Sequence, residues 1–126
     1  MDLKELKKGK VIVFGDIMLD KYLSGSIDRI SPEAPVPVLN PSSEEIRLGG
    51  AANVALNLSS LGVKTTLLGV TGKDDDSEKI IDLLKRNKIR FSLRRSAVPT
   101  ISKTRLLSSQ QQLIRIDEEE KFSDAD

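Results

Sequence analysis

Apolar and polar positions follow three rhythms along this chain of 126 residues. The first is a short, unbroken apolar run rich in β-branched side chains. VIVFG at 11–15 and TLLGV at 66–70 have this form, which suits strands buried on both faces of a parallel sheet. The second is helical. Ala51, Val54, Leu58 and Leu61 fall on one face of a segment over 51–61, Asn53, Asn57 and Ser60 fall on another, and Gly62 supplies the stop. A second helix is predicted from Asp74 to Lys88. Asp74, Asp75, Asp76 and Glu78 at its start and Lys85, Arg86 and Lys88 at its end complement the helix dipole.

The third rhythm is partial alternation. KYLSGSIDRI (21–30), PVPVLN (35–40) and EEIRL (44–48) are interrupted by Gly25, Pro32, Pro35, Pro37 and Pro41. Proline cannot donate to a strand ladder, so these pieces are expected as short edge strands or an excursion off the main sheet. RFSLRR (90–95) reads as a further strand, and ISKTRLL (101–107) with QLIRID (112–117) as an antiparallel pair around Ser108 to Gln111. The order implies an α/β fold with a Rossmann-type βαβ core. The acidic tail from Asp117 to Asp126 carries no capping element, so the fold is expected to be incomplete at the C-terminus.

Composition narrows the chemistry. Twenty Lys and Arg against 19 Asp and Glu leave a net charge of +1, which makes no field to draw nucleic acid or an anionic membrane. Aromatics at 3% disfavour a base-stacking surface. With no Cys and no His, disulfides, thiolate metal sites, His-ligated zinc and Ser-His or Cys-His catalysis are excluded. No apolar run approaches a membrane span, and Met1 to Lys10 lacks the apolar core of a signal peptide, so a soluble, cytoplasmic protein is expected.

Two phosphate motifs fail on spacing. A dinucleotide fingerprint needs G-x-G-x-x-G after the first strand, where only Gly15 followed by Asp16 stands. GVTGKDDD (69–76) has two residues between its glycines and Asp after its Lys, which rules out a P-loop. Asp74, Asp75 and Asp76 are explained by an acidic first helical turn.

Three groups are better candidates. Asp16 and Asp20 sit at and just beyond the carboxyl end of the first strand, where open α/β sheets bind ligands, and paired carboxylates suit a polyol. Asp16 capping a turn and Asp20 in solvent explain the same spacing. Gly49 and Gly50 ahead of Asn53 let backbone amides approach a ligand at a helix N-terminus; close helix-to-strand packing is the other explanation. Lys103 and Arg105, two apart on a strand, share a face and suit a phosphate, or form a solvated basic face.

Together these segments resemble the ribokinase-like, or PfkB-type, carbohydrate kinases. Gly49-Gly50-Ala51-Ala52-Asn53-Val54-Ala55, Gly62 and Gly72 match the first signature of that family. Within it, GDIMLDKYLSG (15–25), RISPEAPVPVL (29–39), LLGVTGKD (67–74) and PTISKTRLLSSQQQLIRID (99–117) are most similar to the kinases of heptose 7-phosphate. Those enzymes form the kinase part of bacterial ADP-heptose synthesis for the lipopolysaccharide inner core. The resemblance covers about Val11 to Glu119.

What it implies is a sugar-binding N-terminal part of a kinase that uses ATP and Mg²⁺ in its complete form. Asp16, Asp20, Gly49, Gly50 and Asn53 are implied as sugar contacts, and Lys103 and Arg105 as phosphate contacts. Segments 21–30 and 34–48 are implied to form a β-lid that closes over the sugar and pairs two subunits, with Ser31, Pro32 and Glu33 on its underside. The second signature, whose G-A-G-D type motif carries the general base, has no counterpart here. This chain alone is therefore expected to bind neither ATP nor Mg²⁺ and to show no turnover. A non-catalytic sugar-phosphate-binding or dimerisation module, or a kinase part specific for another sugar such as ribose or fructose, are the other readings.

Overall fold

The computed structural model describes residues 3–123; the last residues of the acidic tail, 124–126, lie outside the described residues. The elements are α1 (Leu3–Leu6), β1 (Lys10–Phe14), β2 (Ile17–Ile30), β3 (Pro37–Gly50), α2 (Ala51–Ser60), β4 (Lys64–Gly72), α3 (Asp75–Arg86), β5 (Arg90–Ser96), β6 (Ile101–Ser108) and β7 (Gln111–Glu118). They build two sheets. One is parallel, in the order β1-β4-β5, with α2 and α3 as its crossovers; the other is mixed, in the order β3-β2-β6-β7.

The proline-punctuated region departs from expectation. In place of short pieces, it forms a two-stranded antiparallel ribbon of two 14-residue strands. The prolines are placed where a ladder tolerates them. Pro37 opens β3, and Pro41 sits opposite Gly25 at a register shift after Ser24, while Pro32 and Pro35 occupy the tip. The root of the ribbon is buried and its tip is exposed. β6 and β7 extend this sheet on its other side, with β6 parallel to β2. Their turn at Ser109 and Gln110 has positive φ at both residues (50° and 64°), as a tight hairpin demands.

One core joins both sheets. Ile17 and Leu19 of β2, Leu48 of β3, Ala52 and Ala55 of α2, Leu67 of β4, and Ile80 and Leu84 of α3 pack together. The buried face of α2 is thus Ala52 and Ala55 with Leu56 beside them, not the expected face of Ala51, Val54, Leu58 and Leu61; Val54 and Leu61 are 50% and 54% exposed. α2 is apolar on most sides, so periodicity alone left its orientation open, and the two alanines let it sit close to the sheet. Gly62 (φ 84°) closes this helix, as expected.

The acidic start of α3 serves the structure. Asp74 is the N-cap and accepts from Ser77 N (2.9 Å), and it also accepts from Thr100 N and Thr100 Oγ1 (2.7 Å each). Thr100 Oγ1 in turn accepts from Gly72 N (2.9 Å). This knot ties the end of β4, the start of α3 and the entry to β6. Asp76 pairs with Lys21 of β2 at 2.6 Å, a second link between α3 and the mixed sheet.

Candidate functional site

Asp16 lies in the short link between β1 and β2. Its carbonyl accepts from Ala51 N (2.8 Å), which fastens the first turn of α2 to that link. Gly50 precedes α2 with φ 57°, and a Cβ there would run into the same Asp16 carbonyl. A Cβ on Gly49 would lie 2.6 Å from Met18 Cγ and 2.8 Å from Asp20 Oδ2. In this structure the space beside both glycines is filled by β2 and its link. The absence of a side chain at both positions permits this close packing.

Asp20 is inside β2, where the alternation of a strand turns it away from Leu19 and the core. Cross-strand register places it between Arg47 of β3 and Lys103 of β6. Its Oδ1 accepts from Arg105 Nη1 at 3.1 Å, with both side chains about four-fifths buried. Two residues along, the Tyr22 ring carries two guanidinium groups, that of Arg47 at 4.7 Å from its centroid and that of Arg105 at 5.2 Å. Arg47 Nε also donates to Glu45 Oε1 (2.8 Å), and that hydrogen bond holds the exposed Glu45 carboxyl below its usual range.

A cleft of about 300 Å³ opens between the root of the ribbon and helices α2 and α3. Asp20, Tyr22, Arg47, Asn53 and Asn87 supply its polar lining, and Ile46, Leu48, Leu56 and Leu83 its apolar walls. Carboxylate, phenol, guanidinium and carboxamide against aliphatic walls can hold a molecule with hydroxyls on one side and carbon on the other.

The structure therefore brings Asp20 and Asn53 together and sets Asp16 apart. Asp16 is exposed and lines a separate cleft of about 260 Å³ with Ile101 and residues 119–122. Lys103 and Arg105 share a face but are already paired. Lys103 Nζ lies 3.2 Å from Asp117 and 3.6 Å from Glu119, and Arg105 holds Asp20. The hydrogen bond from Arg115 is the main cause that keeps the Asp117 carboxyl below the ordinary range; burial opposes it, and the hydrogen bond from Lys103 adds to the lowering.

Tyr22 and Arg47 were not singled out from sequence. Both alternate correctly with residues that were, Tyr22 with Asp20 and Arg47 with Gly49, but only the β2–β3 register shows that they meet. Another cleft, of about 290 Å³, is lined by Lys10, Lys64, Lys88 and Arg90. It lies at the N-terminal ends of β1, β4 and β5, the end that open α/β sheets do not use for ligands.

Residues 8–124 match the family described as pfkB family carbohydrate kinase. The chain is 48% identical over 120 residues to the bifunctional protein HldE of Histophilus somni, covering 94% of this chain and 25% of that protein. It is 51% identical over 115 residues to the bifunctional protein HldE of Actinobacillus succinogenes, covering 90% and 24%. The chain thus spans about a quarter of the length of these relatives. A carbohydrate kinase from Agrobacterium tumefaciens shares its fold with a TM-score of 0.71 at 22% identity, over 86% of this chain and 35% of that one. So does Arabidopsis thaliana ribokinase, solved with ribose and ATP, with a TM-score of 0.68 at 20% identity over 85% and 35%.

Proposed function

This chain belongs to the pfkB family of carbohydrate kinases, and we propose from that premise that it forms the acceptor-sugar side of a kinase for D-glycero-D-manno-heptose 7-phosphate. The observation that carries the reading is the cleft where Asp20 and Asn53 converge beside Tyr22 and Arg47. Asp20 and Asn53 hold sugar hydroxyls. Gly49 leaves room for the Asp20 carboxylate, and Gly50 fixes the start of the helix that carries Asn53. Asp16, at the C-terminal end of β1, makes a further sugar contact from the neighbouring cleft. Lys103 and Arg105, the phosphate contacts that the family resemblance implies, are paired with Asp117 and Asp20 in this structure and lie outside the cleft lining, so they add to a phosphate already held in the cleft only once those partners yield.

The complete enzyme transfers the γ-phosphoryl of ATP to the anomeric hydroxyl, in the synthesis of ADP-heptose. Similarity to the HldE proteins over most of this chain supports the heptose assignment. Among the described residues, no group of three acidic side chains stands together to hold a metal ion. Bound Mg²⁺ and nucleotide would supply the phosphoryl group and neutralise its charge; what this chain's own residues do is bind, orient and shield the acceptor. The ribbon, in segments 21–30 and 34–48, acts as the lid. A homodimer through the lid is supported by the exposed apolar side chains of Ile30 and Val36 on it.

Isothermal titration of the full chain with heptose 7-phosphate, ribose and fructose tests the assignment. Preferential, saturable binding of heptose 7-phosphate is expected. Preference for ribose or fructose would keep the family and overturn the heptose.

A further inference from the structure

We infer that Arg47 is the residue through which the cleft distinguishes a phosphorylated sugar from a free one. This inference rests on the sugar-binding reading of the cleft. Of the three cations grouped around Asp20 and Tyr22, Arg47 is the one that lines the same cleft as Asp20 and Asn53. Lys103 and Arg105 are absent from that lining, and each is at most one-fifth exposed and held by a carboxylate.

Register makes Arg47 the direct cross-strand neighbour of Asp20, yet the Asp20 carboxylate is taken by Arg105. Arg47 lies over the Tyr22 ring and pairs through Nε with Glu45, both side chains being more than half exposed. An exposed pair of this kind is weak and easily exchanged. A phosphate dianion arriving in the cleft outcompetes it, because a guanidinium meets phosphate oxygens with two parallel hydrogen bonds.

Tyr22 gives this exchange its geometry. With its guanidinium carbon 4.7 Å from the ring centroid, Arg47 is held against Tyr22 and loses little further freedom on binding an anion in place of Glu45. Asp20 and Asn53 then take the hydroxyl end and Arg47 the phosphate end of one molecule. A sugar without phosphate leaves Arg47 on Glu45 and gains only the hydroxyl contacts.

The test is calorimetric binding to the full chain of heptose 7-phosphate and of the same heptose without phosphate, in wild type, Arg47→Ala and Arg47→Lys. The expected result for Arg47→Ala is a loss of about ten- to hundredfold in affinity for the phosphate ester, with the free heptose unaffected. Arg47→Lys should recover part of that preference, since it keeps the charge and loses the fork. Unfolding midpoints of both variants should match wild type, because the side chain is exposed. Equal losses for both sugars, or no loss for either, would overturn the inference, as would a wild type that binds both sugars equally. A wild type that binds neither removes the sugar-binding reading itself, a result distinct from these.

Discussion

Replacing Asp74 with alanine should cost far more stability than an exposed helix cap. Its carboxylate accepts three hydrogen bonds, from Ser77 N at 2.9 Å and from Thr100 N and Oγ1 at 2.7 Å each. Thr100 is 3% exposed, so its donors meet little water when the acceptor is lost. An N-cap substitution costs about 1 kcal/mol, and two bonds to a charged acceptor add about 1 to 2 kcal/mol each. The sum is about 3–5 kcal/mol out of a total stability of about 5–15 kcal/mol for a domain. Thermal and urea unfolding followed by circular dichroism would measure it. A loss under about 1 kcal/mol would refute the reasoning, since that is the value of the cap alone.

The same group carries a pH signature. Burial pushes the Asp74 carboxyl up, but the bonds from Thr100 and Ser77 and the charge of Arg95 outweigh it and leave the group below its ordinary value. A carboxylate lowered in the folded state adds stability that is complete above its unfolded pKa, about 3.9, and is lost as pH falls through the folded value. The stability gap between wild type and Asp74→Asn should therefore be constant from neutral pH down to about 5 and shrink below about 4. A gap that widened on acidification would contradict the assignment. Because Thr100 leads into β6, which carries Arg105, loosening this knot should also weaken sugar binding.

Two further variants probe the site and the sheet. Gly49→Ala sets a methyl 2.6 Å from Met18 Cγ and 2.8 Å from Asp20 Oδ2; it should displace the carboxylate, cost about 1–3 kcal/mol in urea unfolding and abolish sugar binding. Ile12 and Phe14 of β1 are 67% and 81% exposed; Ile12→Thr with Phe14→Ser should leave the unfolding free energy within about 0.5 kcal/mol of wild type while reducing aggregation seen by light scattering.

What could be read from sequence was local. The charge order of α3, the stop at Gly62 and the turn between β6 and β7 depend on neighbours within a few residues, and they stand where expected, although Asp74 proves to be the N-cap of α3 and not its first residue. The 14-residue ribbon was not legible, because prolines read singly suggest breaks, and their tolerance depends on which edge and which bulge they occupy. The face of α2 was misjudged because Ala52, Ala55 and Leu56 satisfy helical spacing as well as Val54, Leu58 and Leu61 do. Asp16 and Asp20 look like a pair at a spacing of four, but one sits in a link and the other within a strand, and they line different clefts. Tyr22 and Arg47 became visible only through long-range register.

The most direct test of the sugar-binding account is an amide chemical-shift titration of the isotopically labelled full chain with heptose 7-phosphate. Saturable shifts centred on Asp20, Tyr22, Arg47, Gly49 and Asn53 are the predicted result. Shifts centred instead on the basic cleft of Lys10, Lys64, Lys88 and Arg90, or none at millimolar ligand, would contradict it.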